Sequence, residues 1–211
     1  MTYFQDYLTA CISIFTILNP LSAGAIMISL LDEGEHNKTN TKEIALKASK
    51  AVLIAIVVTV ALGGGMISFF GINIFSIKVI GGAVLFLMAI NMVHGNKLNH
   101  KHTKEDNAEA LDKDDISIIP LAIPILFGPG MMAVLISEVA IMTTWTEYAI
   151  WIAAGLTITI VIYIILSNMV YVLNYLGILG VRIISRIMGL VVGALAVQLI
   201  VEGIKNLWSV S

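Results

Sequence analysis

Apolar residues along this chain fall into six long runs separated by polar segments, roughly Tyr7–Leu31, Ala51–Phe70, Ile72–Val93, Ile116–Met142, Tyr148–Leu176 and Ile183–Ile204. A helix rising about 1.5 Å per residue needs about 20 apolar residues to cross a hydrocarbon core about 30 Å thick, and every run meets that length. The pattern predicts an all-α membrane protein of six transmembrane helices. Two of the runs carry a helix-breaking signal at their midpoints. In the first, uncharged from Thr9 to Leu31, the centre is Asn19-Pro20; in the fourth it is Pro129 within Phe127-Gly128-Pro129-Gly130. Asn caps helix N-termini and Pro suits the first helical position, so a new helix is expected at Pro20, its free N–H groups capped by the Asn19 side chain. Pro20 cannot donate to the Thr16 carbonyl, and in lipid such a loose group must meet protein, solute or water.

The second half repeats the first. Pro20 to Gly81 spans 61 positions and Pro129 to Gly189 spans 60, and a base stands three residues before each glycine, Lys78 or Arg186. Met92-Val93-His94-Gly95 falls opposite Ile200-Val201-Glu202-Gly203 at the same spacing. A duplication of three spans inverts its second copy, which predicts two inverted three-helix repeats with helices 1 and 4 broken at mid-membrane. The expected organisation is residues 1–94 as the first repeat, 95–115 as a polar cytoplasmic linker and 116–211 as the second repeat.

Composition agrees with the pattern. Of 211 residues, 58% are hydrophobic and 12% charged, with a mean hydropathy of +0.95, which excludes a soluble enzyme held by one anchor. Ten of the twelve Lys and Arg residues lie in the odd-numbered loops, leaving Lys78 and Lys205 on the other side. The positive-inside rule then puts the odd-numbered loops in the cytoplasm and both termini outside. Met1 to Asp6 lacks a basic region and no cleavage site closes the first run, so the first span is expected to stay. Cys11, the single cysteine, cannot form an internal disulfide and reads as a packing residue.

Several polar and small residues have readings of their own. Thr41-Lys42-Glu43 begins a helical lead-in to span two, with Glu43 and Lys47 four apart on one face. Gly63-Gly64-Gly65 and Gly189-x-x-x-Gly193 read as close-packing surfaces; the latter favours a partner within the chain but leaves a homo-oligomer open. Lys78 is expected to snorkel to the interface, and Trp145, Tyr148, Trp151 and Trp208 to anchor there. His94, His100 and His102 belong to a solvated loop and imply no metal site. Asn91, Asn168 and Gln198 read as glue between helices. Glu138, nine residues past Pro129, lies about 13 Å from the break; it is a candidate coupling residue, though an interfacial position for it and for Glu202 is the plainer reading.

The chemistry concentrates at the two breaks. Two helix N-termini facing the midplane each present about half a positive charge and free N–H groups, which attract carboxylate or phosphate. Carbonyls freed around Thr16–Leu18 and Ile125–Phe127 can receive an ammonium group or a cation. A zwitterion matches both, and Ser22, Ala23, Gly24, Gly128 and Gly130 leave room only for a small one. The candidate substrate-binding set is Asn19, Pro20, Ser22, Gly24, Gly128, Pro129 and Gly130. A membrane-embedded enzyme is disfavoured, because the chain has no H-E-x-x-H, no nucleophile elbow and no cysteine pair.

Leu18-Asn19-Pro20, Pro120-Leu121-Ala122-Ile123-Pro124 leading to Gly128-Pro129-Gly130, and Arg186-Ile187-Met188-Gly189-Leu190 resemble the MarC family, also described as small neutral amino acid transporters. The resemblance covers nearly the whole chain. It implies a six-span inner-membrane protein moving small amino acids such as glycine and alanine, with Asn19, Pro20, Gly128, Pro129 and Gly130 as the family's motif positions. Leu21-Ser22-Ala23-Gly24 departs from the more usual glycine-containing run there. The partners implied are a small solute, the bilayer and a coupling ion, proton or sodium, without nucleic acid or cofactor. A carrier of an anionic lipid or phosphate compound, or a non-transporting assembly factor, stands as the alternative.

Overall fold

Prolines set where helices restart in this chain, and the residues before them set how the preceding helices end. The computed structural model describes residues 2–32, 38–94 and 117–210. Its helices are α1 (Thr2–Leu18), α2 (Pro20–Asp32), α3 (Lys38–Phe70), α4 (Ile74–His94), the π-helical α5 (Ser117–Leu126), α6 (Pro129–Val139), α7 (Trp145–Ser167) and α8 (Met169–Val210). Among the described residues all regular structure is helical. Five segments are long and apolar enough to cross a membrane: Tyr3–Leu31, Thr41–Gly65, Ile74–His94, Trp145–Ser167 and Met169–Trp208. The linker 95–115, with His100 and His102, lies outside the described residues.

The fourth apolar run is not one long helix. It forms α5 and α6, of 10 and 11 residues. Pro120 and Pro124 lack the N–H donors of an α-ladder, and a proline ring crowds the carbonyl four residues earlier. A π-turn relieves that crowding by moving the bond one residue back, as where the N–H of Phe127 reaches the Ala122 carbonyl at 2.8 Å.

The fifth run ends earlier than its apolarity predicts. α7 stops at Ser167, not Leu176, because Asn168 satisfies the helix end itself: its Nδ2 donates to the Ile164 carbonyl at 2.8 Å, and its own carbonyl receives the N–H groups of Tyr171 and Val172. Asn168 therefore turns the chain and does not bridge helices; Asn91 and Gln198 are exposed. α8 bends at Gly177, where φ is 67° and ψ is 167°, and the sixth run lies in its longer arm. At the start of α7, Glu147 Oε2 accepts the N–H groups of Thr143 and Thr144, closing a capping box. The lead-in to span two is helical and continuous with α3, and Lys47 pairs with Glu43 at 3.0 Å.

The helices pack α4 on α8, α3 on α7, α4 on α6, α2 on α8, α1 on α7 and α3 on α5. Ile14, Met27, Ile56, Leu85, Leu121, Met131, Leu135, Ile162 and Leu166 fill the common interior, while Ile54, Leu62, Ile80, Leu87, Ile160 and Leu190 face outward, as lipid-facing positions do. Glycine governs the α4–α8 contact. A Cβ on Gly82 would lie 2.7 Å from the Ala196 carbonyl oxygen, one on Gly203 2.8 Å from that of Phe75, and one on Gly189 2.8 Å from the Met92 Cβ. Gly189 and Gly193 thus both face α4 of their own chain. Gly63 and Gly64 meet Ile136 and Val139 of α6.

Candidate functional site

The first break is a single residue. Asn19 takes φ 41°, the one positive value at a non-glycine among the described residues, and so ends α1 and turns the chain into α2. Asparagine is the residue other than glycine that tolerates this conformation best. Its N–H still bonds back to the Phe15 carbonyl at 3.0 Å, and its carbonyl accepts the N–H groups of Ser22 and Ala23. The cap is therefore the backbone carbonyl, and the expected side-chain cap is not formed. Asn19 is only 7% exposed.

The second break is two residues long. Gly128 is extended, φ −91° and ψ 175°, as a residue before proline prefers, and makes no side-chain cap. α6 starts at Pro129, and the first bond of its ladder runs from the Met132 N–H to the Gly128 carbonyl at 3.2 Å. The N–H groups of Gly130 and Met131 precede that ladder and have no intrahelical partner.

The two breaks are interleaved. α1 packs against α6 and α2 against α5, so the arm entering each break touches the arm leaving the other. Leu18, Asn19, Pro20, Phe127, Gly128 and Gly130 are all buried, whereas Pro129 is exposed. Ser22 receives a hydrogen bond from Ser185 of α8 at 3.2 Å, a partner with no signal in the sequence. Gly24 and Gly130 serve packing: a Cβ on Gly24 would lie 2.7 Å from Met169 Sδ, and one on Gly130 2.7 Å from Leu85 Cδ2.

A second polar feature joins three helices. Lys78, expected at the interface, is only 4% exposed and donates from Nζ to Glu202 Oε1 at 2.5 Å. Glu138 of α6 lies within coulombic reach of both. Burying an ammonium is tolerated only with such a partner, which explains why Lys78 did not snorkel. A weak signal for this pair was present in the sequence: Lys78 stands one turn inside the start of α4 and Glu202 about two turns inside the end of α8.

The whole chain, residues 4–208, matches the model of the MarC family integral membrane proteins. This protein belongs to the MarC family. Its relatives include the UPF0056 membrane protein MJ1677 of Methanocaldococcus jannaschii, 36% identical over 96% of this chain and 97% of the relative. A UPF0056 membrane protein of Aquifex aeolicus is 34% identical over 95% and 93%, and YhcE of Escherichia coli is 29% identical over 97% and 94%. No solved structure matches the chain. The MarC protein is thus an integral membrane protein with several apolar helices, as the sequence motifs imply.

Proposed function

We propose that this MarC protein is a secondary transporter of small neutral zwitterions of the glycine and alanine kind, and that it binds them where the two broken helices cross. One observation carries the reading: at two places the chain ends a helix and restarts it at a proline, and the four arms are packed across one another, with Asn19 buried at the first break. The N–H groups opening α2 and α6 suit a carboxylate, and the Asn19 amide and the carbonyls before each break suit an ammonium group. Asn19, Pro20, Ser22, Gly128, Pro129 and Gly130 form the binding region, Gly24 closes α2 onto its neighbours, and Glu138 is the candidate for ion coupling.

Rocking of one half against the other needs two inverted halves, and the packing supports that arrangement. Most contacts have a mate under exchange of the halves: α1 on α7 with α5 on α3, α2 on α8 with α6 on α4, α2 on α7 with α6 on α3, while the smaller contacts of α8 with α1 and α7 have no mate of like extent. Such a protein sits in an inner membrane as six spans, the fourth made of α5 and α6, with both termini outside. The direct experiment is reconstitution into vesicles with labelled glycine or alanine under proton, sodium and counterflow conditions. Uptake or exchange above empty vesicles supports the reading; none under any condition rejects the substrate class. Transport of a phosphate compound that alanine does not inhibit would replace it with the anionic carrier.

A further inference from the structure

Lys78, Glu202 and Glu138 come from α4, α8 and α6, three helices whose register brings their ends together. On α4 and α6, Gly81 meets Ala133 while Gly130 meets Leu85 and Met88, so the helices run antiparallel and the turn before Gly81 lies opposite the end of α6, where Glu138 stands. On α4 and α8, Gly203 packs against Val79, which sets Glu202 beside Lys78. Immediately beyond these residues a cleft of about 530 Å3 opens at the surface, lined among others by Gly64, Ile67, Ile74, Val139 and Tyr148. Ile74 is one turn before Lys78, and Val139 follows Glu138. From Pro129 to Val139 α6 runs about 15 Å, so the charged cluster lies between the cleft and the second break.

The opposite end of the α4–α8 pair differs. The positions related by the repeat are Arg186 and His94, both exposed; the His94 ring contacts the Ile90 carbonyl of its own helix at 2.9 Å, and among the described residues neither makes an ion pair. Among the described residues, one end of the helix pair is clamped by charge and the other is not.

We infer that the Lys78–Glu202 pair, with Glu138, is a gate that holds the ends of α4, α8 and α6 together and closes the way from this cleft to the broken helices. What the gate admits rests on the transporter reading; the gate itself rests on the packing of three helices. The pair suits the task because its halves are unequal. Lys78 is buried while the Glu202 side chain is 46% exposed, so water can take up the carboxylate when the helices part, and the ammonium holds it when they close.

The test uses the full chain, purified in detergent, with Cys11 replaced by serine and one reporter cysteine, Ser137→Cys. Ser137 is 1% exposed and adjoins Glu138. A water-soluble maleimide should label it slowly in this background and at least about tenfold faster with Glu202→Gln, and the exchange Lys78→Glu with Glu202→Lys should bring the rate back to within about twofold. A second reporter, Ser49→Cys, is 2% exposed on α3, fourteen residues before Gly63, and should stay slow throughout. The gate is overturned if Glu202→Gln leaves Ser137→Cys at the parent rate, if the exchange variant labels as fast as Glu202→Gln, or if Ser49→Cys accelerates equally, since the pair would then hold the whole fold. No solute is involved, so the gate and the transport reading fail separately.

Discussion

The two breaks restart a helix at proline by different backbone routes. At Asn19 a single left-handed residue ends a regular α-helix and is itself buried. At Gly128 a π-helix has given way to an extended residue that makes no side-chain cap. Proline supplies the same start in both cases, but the residue before it decides whether the break also carries a side-chain handle. Asparagine both adopts the conformation and brings an amide; glycine brings none. On the proposed transport function, the first break is the one suited to choosing a solute, and the second offers N–H groups that any anionic end could use.

Asn19→Gly separates the handle from the backbone most sharply. Glycine keeps the positive φ and removes the amide, so solute exchange in vesicles should fall about tenfold or more, in line with a lost hydrogen bond of about 1.5–3 kcal/mol to a charged group, while the thermal midpoint in detergent hardly moves. Unchanged exchange would make the two breaks equivalent. Asn19→Val addresses the backbone instead: a β-branched residue resists positive φ, and a loss of about 1–3 kcal/mol in stability is expected.

A comparison of glycines sharpens the same contrast between the core of the fold and the arms of the breaks. Gly82→Ala drives a methyl toward the Ala196 carbonyl, which is backbone and cannot step aside, whereas Gly24→Ala and Gly130→Ala meet the flexible ends of Met169, Met88 and Leu85. Gly82→Ala should lower the thermal midpoint more than either of the others. The smallest effect belongs to Ser185→Ala, which removes the bond to Ser22 and should cost about 0.5–1.5 kcal/mol. A larger loss there would mean that α2 is held to α8 chiefly by that bond.

Most helices were legible because each is encoded locally, by an apolar run and by proline at its start. The end of α7 was not, since Asn168 is as consistent with an interhelical bond as with the turn it makes. Nor was the fate of Lys78: a lysine one turn inside a span snorkels or pairs according to what stands on another helix, and Glu202 is 124 residues away.

The sequence by itself determined membrane residence, the family, the positions of both breaks and the repeated spacing of proline, base and glycine, because these follow from hydrophobic length, missing N–H groups and periodicity along one chain. Only the tertiary structure decided that Asn19 is buried and caps α2 with its backbone carbonyl, that Ser185 holds Ser22, and that Lys78 pairs with Glu202. Those depend on the angles and register at which helices distant in sequence pack, and no local pattern fixes them.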